Sequence, residues 1–462
     1  MSHIVIIGNG IAGITTARHV RKRSNHDITL ISAETDHHFS RPALMYIYMG
    51  HMKYEHTKPY EDWFWSENRL NLVRGFVETI DTDRKTLSLQ GGRTIEYDKL
   101  VIATGSKSNK FGWKGQDLNG VQGLYSFQDL ELMDANTRGL EHGKGKAVVV
   151  GGGLIGIEVA EMLHSRHIPI TMLVREPLYW SNILPKEEAE LVGRHIRAQG
   201  IELRLSSELQ EITSDENGRA KSVITKSGEE FPAQFVALTA GVSPNIDVVK
   251  TSKIATKRGV LVNEFLETNI PDVYAAGDCA ELQFSDGSDG RSDIKTRVEQ
   301  LWYTGRMHGE ALAQTLCGKR TKYERGIWFN SAKFFDIEYQ TYGFVANSVR
   351  DGETHFYWEN SDGDKCMRIV YRSDTRAVTG MNVFGIRQRQ AVWQRWIAEK
   401  KTIDAVMEHL GEANFDPEFF KEHERDIVEK FNSMNPPKRV QLQRKRGLFS
   451  VLQFKRGDVK VS

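Results

Sequence analysis

One stretch, His3 to Glu34, limits what this chain can fold into more than any other. An apolar run, Ile4 to Ile7, leads straight into Gly8, Gly10 and Gly13. A helix-forming segment follows, and a second apolar run, Ile28 to Ser32, ends at Glu34. The spacing predicts a strand–helix–strand unit with G-x-G-x-x-G at its first turn and an acid 21 residues beyond Gly13. Each glycine has a physical task in such a unit. Gly8 permits the tight turn, Gly10 lets the backbone approach a pyrophosphate, and Gly13 lets helix and strand pack closely. The helix start offers unpaired N–H groups and a partial positive charge to phosphates. Glu34 is expected to accept hydrogen bonds from ribose hydroxyls.

The pattern recurs at Lys146. KAVVVGGGLIGIEVAEML predicts a strand, then Gly151, Gly153 and Gly156, then a helix carrying Glu158, with a further strand over Ile170 to Val174. Two such fingerprints imply two nucleotide-binding domains in one chain. At the end of the second unit stand Arg175 and Glu176. A carboxylate there takes the 2′-hydroxyl of NADH, whereas an Arg pairs with the 2′-phosphate of NADPH, so the choice stays open with a lean towards NADPH.

With 462 residues the chain has room for about three domains. Its net charge of +1 gives no argument for nucleic acid. No apolar run reaches the ~18 residues of a membrane helix. With a strand expected from residue 3, no secretory signal is expected, and a cytoplasmic setting is the default. The three cysteines, 279, 317 and 366, form no C-x-x-C, so no metal site, cluster or disulfide framework is expected. Residues 438–462 hold eight Lys or Arg and one acid, Asp458. This tail interleaves Leu448, Phe449, Val451, Leu452 and Phe454. It reads as a solvated extension, a docking element for an acidic partner or sister subunit, or a contact with an anionic membrane surface.

Between these landmarks, Arg41-Pro42 reads as a helix entry. His37 and His38 are adjacent, point apart and read as loop. Trp63, Phe64 and Trp65 are expected in one helix, as core. Tyr97 to Ser106 and Val273 to Ala276 are expected as buried strands, the second ending at Gly277-Asp278 where ligands bind in open α/β sheets. A helix is expected over Thr296 to Gln314, carrying Arg297, Glu299 and Trp302. From about residue 326 the character changes to a smaller α+β domain. Strands are expected within 329–343, 354–358 and 366–371, and helices over 391–397 and 403–410. A last helix is expected from Asp416-Pro417 to about Phe431, and Pro436-Pro437 closes the folded body. Trp393 and Trp396, three apart on a helix, read as core, with an exposed contact face as the alternative.

With these motifs in place, the chain resembles the FAD-dependent pyridine nucleotide–disulfide oxidoreductase superfamily. YDKLVIATGS (97–106), GGGLIGIEVAE (151–161), AGVSPN (240–245) and TNIPDVYAAGDCAE (268–281) resemble its successive motifs, in order, after the first fingerprint. The resemblance covers about 1–325. It implies an α/β fold of two Rossmann-like domains, for FAD and NAD(P)H, plus a C-terminal α+β domain. The boundaries would be 1–112 with 246–325 for FAD, 113–245 for NAD(P)H and 326–432 for an interface domain that often dimerises, with 433–462 as the basic tail. It also implies roles. Gly8, Gly10, Ala12, Gly13 and Glu34 would hold the ADP half of FAD, and Val77 the adenine. Thr104, Gly105, Gly277 and Asp278 would lie along the flavin half, with Gly241 at the crossover. Gly151, Gly153, Ile155, Gly156 and Arg175 would hold NAD(P)H, with Glu158 near the nicotinamide.

Members that reduce disulfides or peroxides carry a cysteine soon after the first acid; here 36–50 has none. HHFSRPALMY resembles the R-P-P-L-S-K segment of the ferredoxin and rubredoxin reductase branch, with Tyr46 in place of its lysine. Arg297-x-Glu299 with Trp302 resembles that branch's R-x-E-x-W, the Trp one position late. The resemblance therefore implies Arg41, Glu158 and Trp302 at the reacting centre. Hydride would pass from NAD(P)H to the flavin, and electrons would then go to a one-electron acceptor such as a ferredoxin- or rubredoxin-like protein. The alternative is a type II NAD(P)H:quinone reductase at a membrane surface, which the tail favours and TRVEQLWYT (296–304) opposes.

Overall fold

The computed structural model describes residues 1–283, 296–415, 421–434 and 438–443. The expected helix start at Asp416-Pro417, the Pro436-Pro437 stop and the tail beyond Gln443 lie outside these residues. The chain divides into two units, Met1–Arg175 with Ile201–Arg325, and Glu176–Gly200 with the described residues from Gly326 on.

The first unit holds two five-stranded parallel sheets. In one, the strand order is Val273–Ala275, Lys99–Ile102, His3–Ile7, Asp27–Ser32, Leu70–Arg74. Ile4 pairs with Ile28 on one side and Lys99 on the other. Runs such as Ile4–Ile7, apolar at every position, suit a strand covered on both faces, and Ile4, Val5 and Ile6 are fully buried. The helix Ile11–Arg21 is the crossover. The second sheet repeats the plan, in the order Glu202–Arg204, Ile170–Leu173, Ala147–Val150, Phe235–Leu238, Val121–Gln122. In each sheet the strand before the fingerprint is central.

The expected helix over Thr296–Gln314 is corrected. Thr296–Val298 is a strand antiparallel to Ala280–Gln283, and the helix runs Trp302–Leu316. The β-branched Thr296 and Val298 favour the pleated edge. The helix itself presses on Ile11–Arg21 through Gly305 and Gly309. A Cβ on Gly309 would stand 2.8 Å from the Ala12 carbonyl oxygen. Trp65 is buried in the helix Trp63–Glu67, but Trp63 is exposed, because one short helical turn cannot direct three aromatics to the same core.

The second unit is built on an antiparallel sheet, ordered Phe329–Phe334, Ile337–Gly343, Val378–Phe384, Cys366–Arg372, Glu353–Glu359. Its central strand, Val378–Phe384, has no counterpart among the sequence expectations. Helices Gln390–Ala398 and Ile403–Glu408 cover it, with Trp393 and Trp396 fully buried as core. The helix Lys186–Ala198 belongs to this unit. Its Glu188 is fully buried, accepting hydrogen bonds from Arg368 Nε at 2.8 Å and Asn382 Nδ2 at 2.7 Å, while Glu187 takes Arg368 Nη2 at 2.6 Å. Among the described residues, no helix is long and apolar enough to cross a membrane.

Candidate functional site

A cavity of about 670 Å³ opens at the C-terminal edge of the first sheet, within the range of ligand pockets. The first fingerprint forms one wall. Gly8 has φ +114°, and a Cβ there would stand 2.1 Å from the Ala103 carbonyl oxygen. A Cβ on Gly13 would stand 2.0 Å from the Gly8 oxygen, so this glycine serves packing and does not line the cavity. Gly10 differs from both, since a Cβ there meets no protein atom within 4 Å. It is the N-cap of Ile11–Arg21, and no side chain caps that helix. Its first-turn N–H groups therefore face the cavity as an anion site.

Glu34 sits at the end of its strand, as expected, but its carboxylate is largely engaged. Arg41 Nη1 and Nη2 donate to its two oxygens at 2.8 and 2.6 Å, and the Phe127 N–H donates at 2.8 Å. A carboxylate accepts about four hydrogen bonds. One direction remains for a ribose hydroxyl, where the sequence suggested more. Arg41 also lies 4.5 Å over the Tyr125 ring and donates to the Tyr125 carbonyl.

Tyr125, Ser106 and Gln300 were missed by sequence reasoning. Ser106 Oγ donates to Asp278 Oδ2 at 2.9 Å, Tyr125 Oη stands 3.4 Å from the same oxygen, and Gln300 Nε2 donates to Ser106 Oγ at 2.8 Å. Burial pushes the Asp278 carboxyl above its ordinary range, against the opposing pull of Ser106 and Arg41. Gly105, at φ +70°, leaves room for Tyr125 Oη. Thr104 Oγ1 donates to the Asn245 carbonyl. His38 is buried on the cavity wall with Nδ1 2.8 Å from the Asn9 carbonyl, and burial lowers it to about 4. A carbonyl only accepts, so Nδ1 carries the proton.

Ala12, Val77, Gly277, Ile155, Glu158 and Trp302 line the same cavity. Glu158 is exposed in the open cleft although protein crowds its carboxyl. That crowding and the Glu161 charge push it up to about 7. Trp302, partly exposed, stands edge-on to Tyr303 at 5.5 Å. Tyr46 is not among the lining residues, whereas its neighbour Met45 is. Gly151, Gly153, Gly156, Arg175 and Gly241 also lie off this cavity. The second cradle nevertheless copies the first. Gly151 has φ +131° and closes on Thr239, Gly156 closes on the Gly151 oxygen, and Gly153 is open. The two cradles, each with one open glycine at a helix start, fit two dinucleotides.

Residues 2–309 match the family described as pyridine nucleotide-disulphide oxidoreductase. The chain belongs to this family. Within it, the chain is 28% identical over 415 residues to NADH-rubredoxin oxidoreductase of Clostridium acetobutylicum, spanning 88% of this chain and 99% of that protein. It is 26% identical over 421 residues to the assimilatory nitrate reductase electron transfer subunit of Bacillus subtilis, 88% of this chain but only 52% of that protein. The chain thus spans about half the length of that relative. The fold matches the covalent putidaredoxin reductase–putidaredoxin complex with a TM-score of 0.75 at 18% identity, over 94% of this chain and 99% of that one.

No cysteine is among the described residues lining the cavity. Cys279, adjacent to Asp278, is fully buried with Sγ 3.3 Å from the Ile102 carbonyl, and burial pushes its thiol up. A buried, protonated thiol is a poor nucleophile. Among the described residues, no group of three or more His, Cys, Asp and Glu is placed to hold a metal.

Proposed function

We propose that this chain is an FAD-dependent NAD(P)H oxidoreductase. It takes hydride from NAD(P)H and passes electrons to a one-electron acceptor such as a ferredoxin- or rubredoxin-like protein. The observation that carries this is a cysteine-free cavity shared by the first glycine cradle and by Glu158 and Ile155 from the helix after the second. FAD, when bound, supplies the exchange between hydride and single electrons. The chain's residues bind and orient. Gly10 and the uncapped helix start take the pyrophosphate, with Gly8 and Gly13 shaping the loop. Glu34, braced by Arg41, takes a ribose hydroxyl, and Val77 flanks the adenine. Thr104, Gly105, Gly277 and Asp278 line the flavin half. Trp302 covers the ring, Gly241 marks the crossover, and Gly151, Gly153, Gly156 and Arg175 hold NAD(P)H.

In this reading residues 1–112 and 246–325 form the FAD domain and 113–245 the NAD(P)H domain. Residues 326–432 form an interface domain that pairs two copies, and the basic tail contacts an acidic partner in the cytoplasm. The test is anaerobic: NADH or NADPH should bleach the bound flavin, and a small ferredoxin or rubredoxin should restore it, with salt slowing the transfer. Reoxidation by a short-chain quinone, with none by either iron–sulfur protein, would overturn the acceptor.

Two variants probe the nicotinamide side. Arg175→Ala is expected to weaken NADPH roughly tenfold and to leave NADH within about twofold, since one charge-assisted contact to a 2′-phosphate is lost. Glu158 is neutral below about 7 and ionised above it. The anion attracts the positive ring of NAD⁺ but not the neutral ring of NADH. NAD⁺ affinity relative to NADH should therefore rise about two- to fivefold as pH climbs through 7, the range of an exposed pair. Glu158→Gln should flatten that profile in a titration series.

A further inference from the structure

Behind the flavin half of the cavity lies a buried charged cluster with no role in the reading above. Glu299, nearly fully buried, faces Arg297 Nε at 2.6 Å, Arg325 Nη1 at 3.3 Å and His308 Nε2 at 3.6 Å, and accepts from Tyr323 Oη at 2.6 Å. His308 is fully buried on the helix Trp302–Leu316. Its Nδ1 accepts the Gly277 N–H at 3.0 Å. A peptide N–H can only donate, so Nδ1 is bare, the proton sits on Nε2 and points to the Glu299 side. Gly277 has φ +77° and packs on Ala12 so tightly that a Cβ would stand 2.8 Å from the Ala12 Cβ. The Gly277-Asp278 peptide is thus set between the phosphate-side helix and His308.

We infer that Glu299 and His308 act as a positioning pair. Glu299 fixes the tautomer of His308, and His308 holds the Gly277-Asp278 peptide in place against the bound flavin. This rests on the FAD reading above. Glu299 is held as a carboxylate: burial opposes its charge, but His308 and Arg297 overcome that and lower it to about 2. The Glu299 anion is therefore fixed behind the site, where it offsets the Arg297 and Arg325 cations.

Three variants of the full chain test it. His308→Leu fills the space and offers no acceptor. His308→Asn keeps an oxygen where Nδ1 stands. Glu299→Gln keeps the shape and removes the charge. His308→Leu is expected to raise the FAD dissociation constant at least about tenfold and to speed hydrogen exchange at Gly277, because a buried N–H loses its partner. His308→Asn should restore both to within about threefold. Glu299→Gln should retain FAD but move its midpoint potential positive, since it leaves the Arg297 and Arg325 cations uncompensated and added positive charge favours adding electrons nearby. A merely structural cluster would lower FAD retention in step with melting temperature in all three and leave the potential unchanged, which would overturn the inference. So would a His308→Asn variant that behaves like His308→Leu. A wild-type chain that takes up no FAD overturns the cofactor reading and this inference with it, whereas flavin-loaded variants indistinguishable from wild type overturn only the positioning pair.

Discussion

Gly10→Val is expected to fold normally and to lose its FAD. The reason lies in how differently the three glycines of one motif are used. A Cβ on Gly8 or Gly13 would stand about 2 Å from a backbone oxygen, so substitution there breaks the loop itself. At Gly10 a Cβ meets no protein atom within 4 Å, and its φ of −66° is open to any residue. A valine there clashes only with what the cavity receives. FAD affinity should fall at least about a hundredfold, roughly 2.7 kcal/mol, while the melting of the apoprotein stays within about 0.5 kcal/mol of wild type. Flavin absorbance after gel filtration and a thermal melt of stripped protein read the two quantities. A yellow Gly10→Val protein would place the pyrophosphate elsewhere.

Arg368→Ala is expected to be the most destabilising single change in the second unit. Among the described residues, it removes the one cation paired with Glu188, a fully buried acid on the helix Lys186–Ala198, and leaves Asn382 as its donor there. Breaking a buried pair by deleting one partner costs about 3–5 kcal/mol. Burial already pushes Glu188 above its ordinary range, and without Arg368 it would rise further. A group raised in the folded state stabilises below its unfolded value and loses that contribution as pH climbs through the folded one. The deficit should therefore be largest near pH 8 and shrink towards pH 5, where a protonated Glu188 needs no cation. Urea melts at the two pH values measure it; a deficit under 1 kcal/mol at pH 8 would show that water reaches Glu188.

Much of the scaffold was legible in the residues. Ile4–Ile7 and Ala147–Val150 are apolar at successive positions and bounded by glycines, a pattern that few structures other than a buried parallel strand at a phosphate loop accommodate. The missing cysteine in 36–50 likewise told against a thiol relay, because that chemistry needs a particular atom and no arrangement of other residues supplies it. Thr296–Gln314 was misread because its first residues pair with Ala280–Gln283, a partner chosen by tertiary pairing that leaves no mark in the local periodicity. Val378–Phe384 escaped notice because Thr379, Gly380 and Asn382 interrupt its apolar pattern, and its place at the centre of a sheet comes from neighbours on both sides.

The sequence by itself determined the two phosphate cradles, because their glycines are demanded by local backbone geometry within a few residues. It also determined Glu34 at the end of its strand. Only the tertiary structure decided that Arg41 and the Phe127 N–H leave that acid one open direction, that Tyr125 and Ser106 reach Asp278 with Gln300 on Ser106, and that His308 faces both Glu299 and Gly277. Most of those contacts join residues far apart along the chain. A hydrogen bond between distant side chains leaves no periodicity or spacing in the sequence, and exists only once the sheets and helices have brought its two ends together.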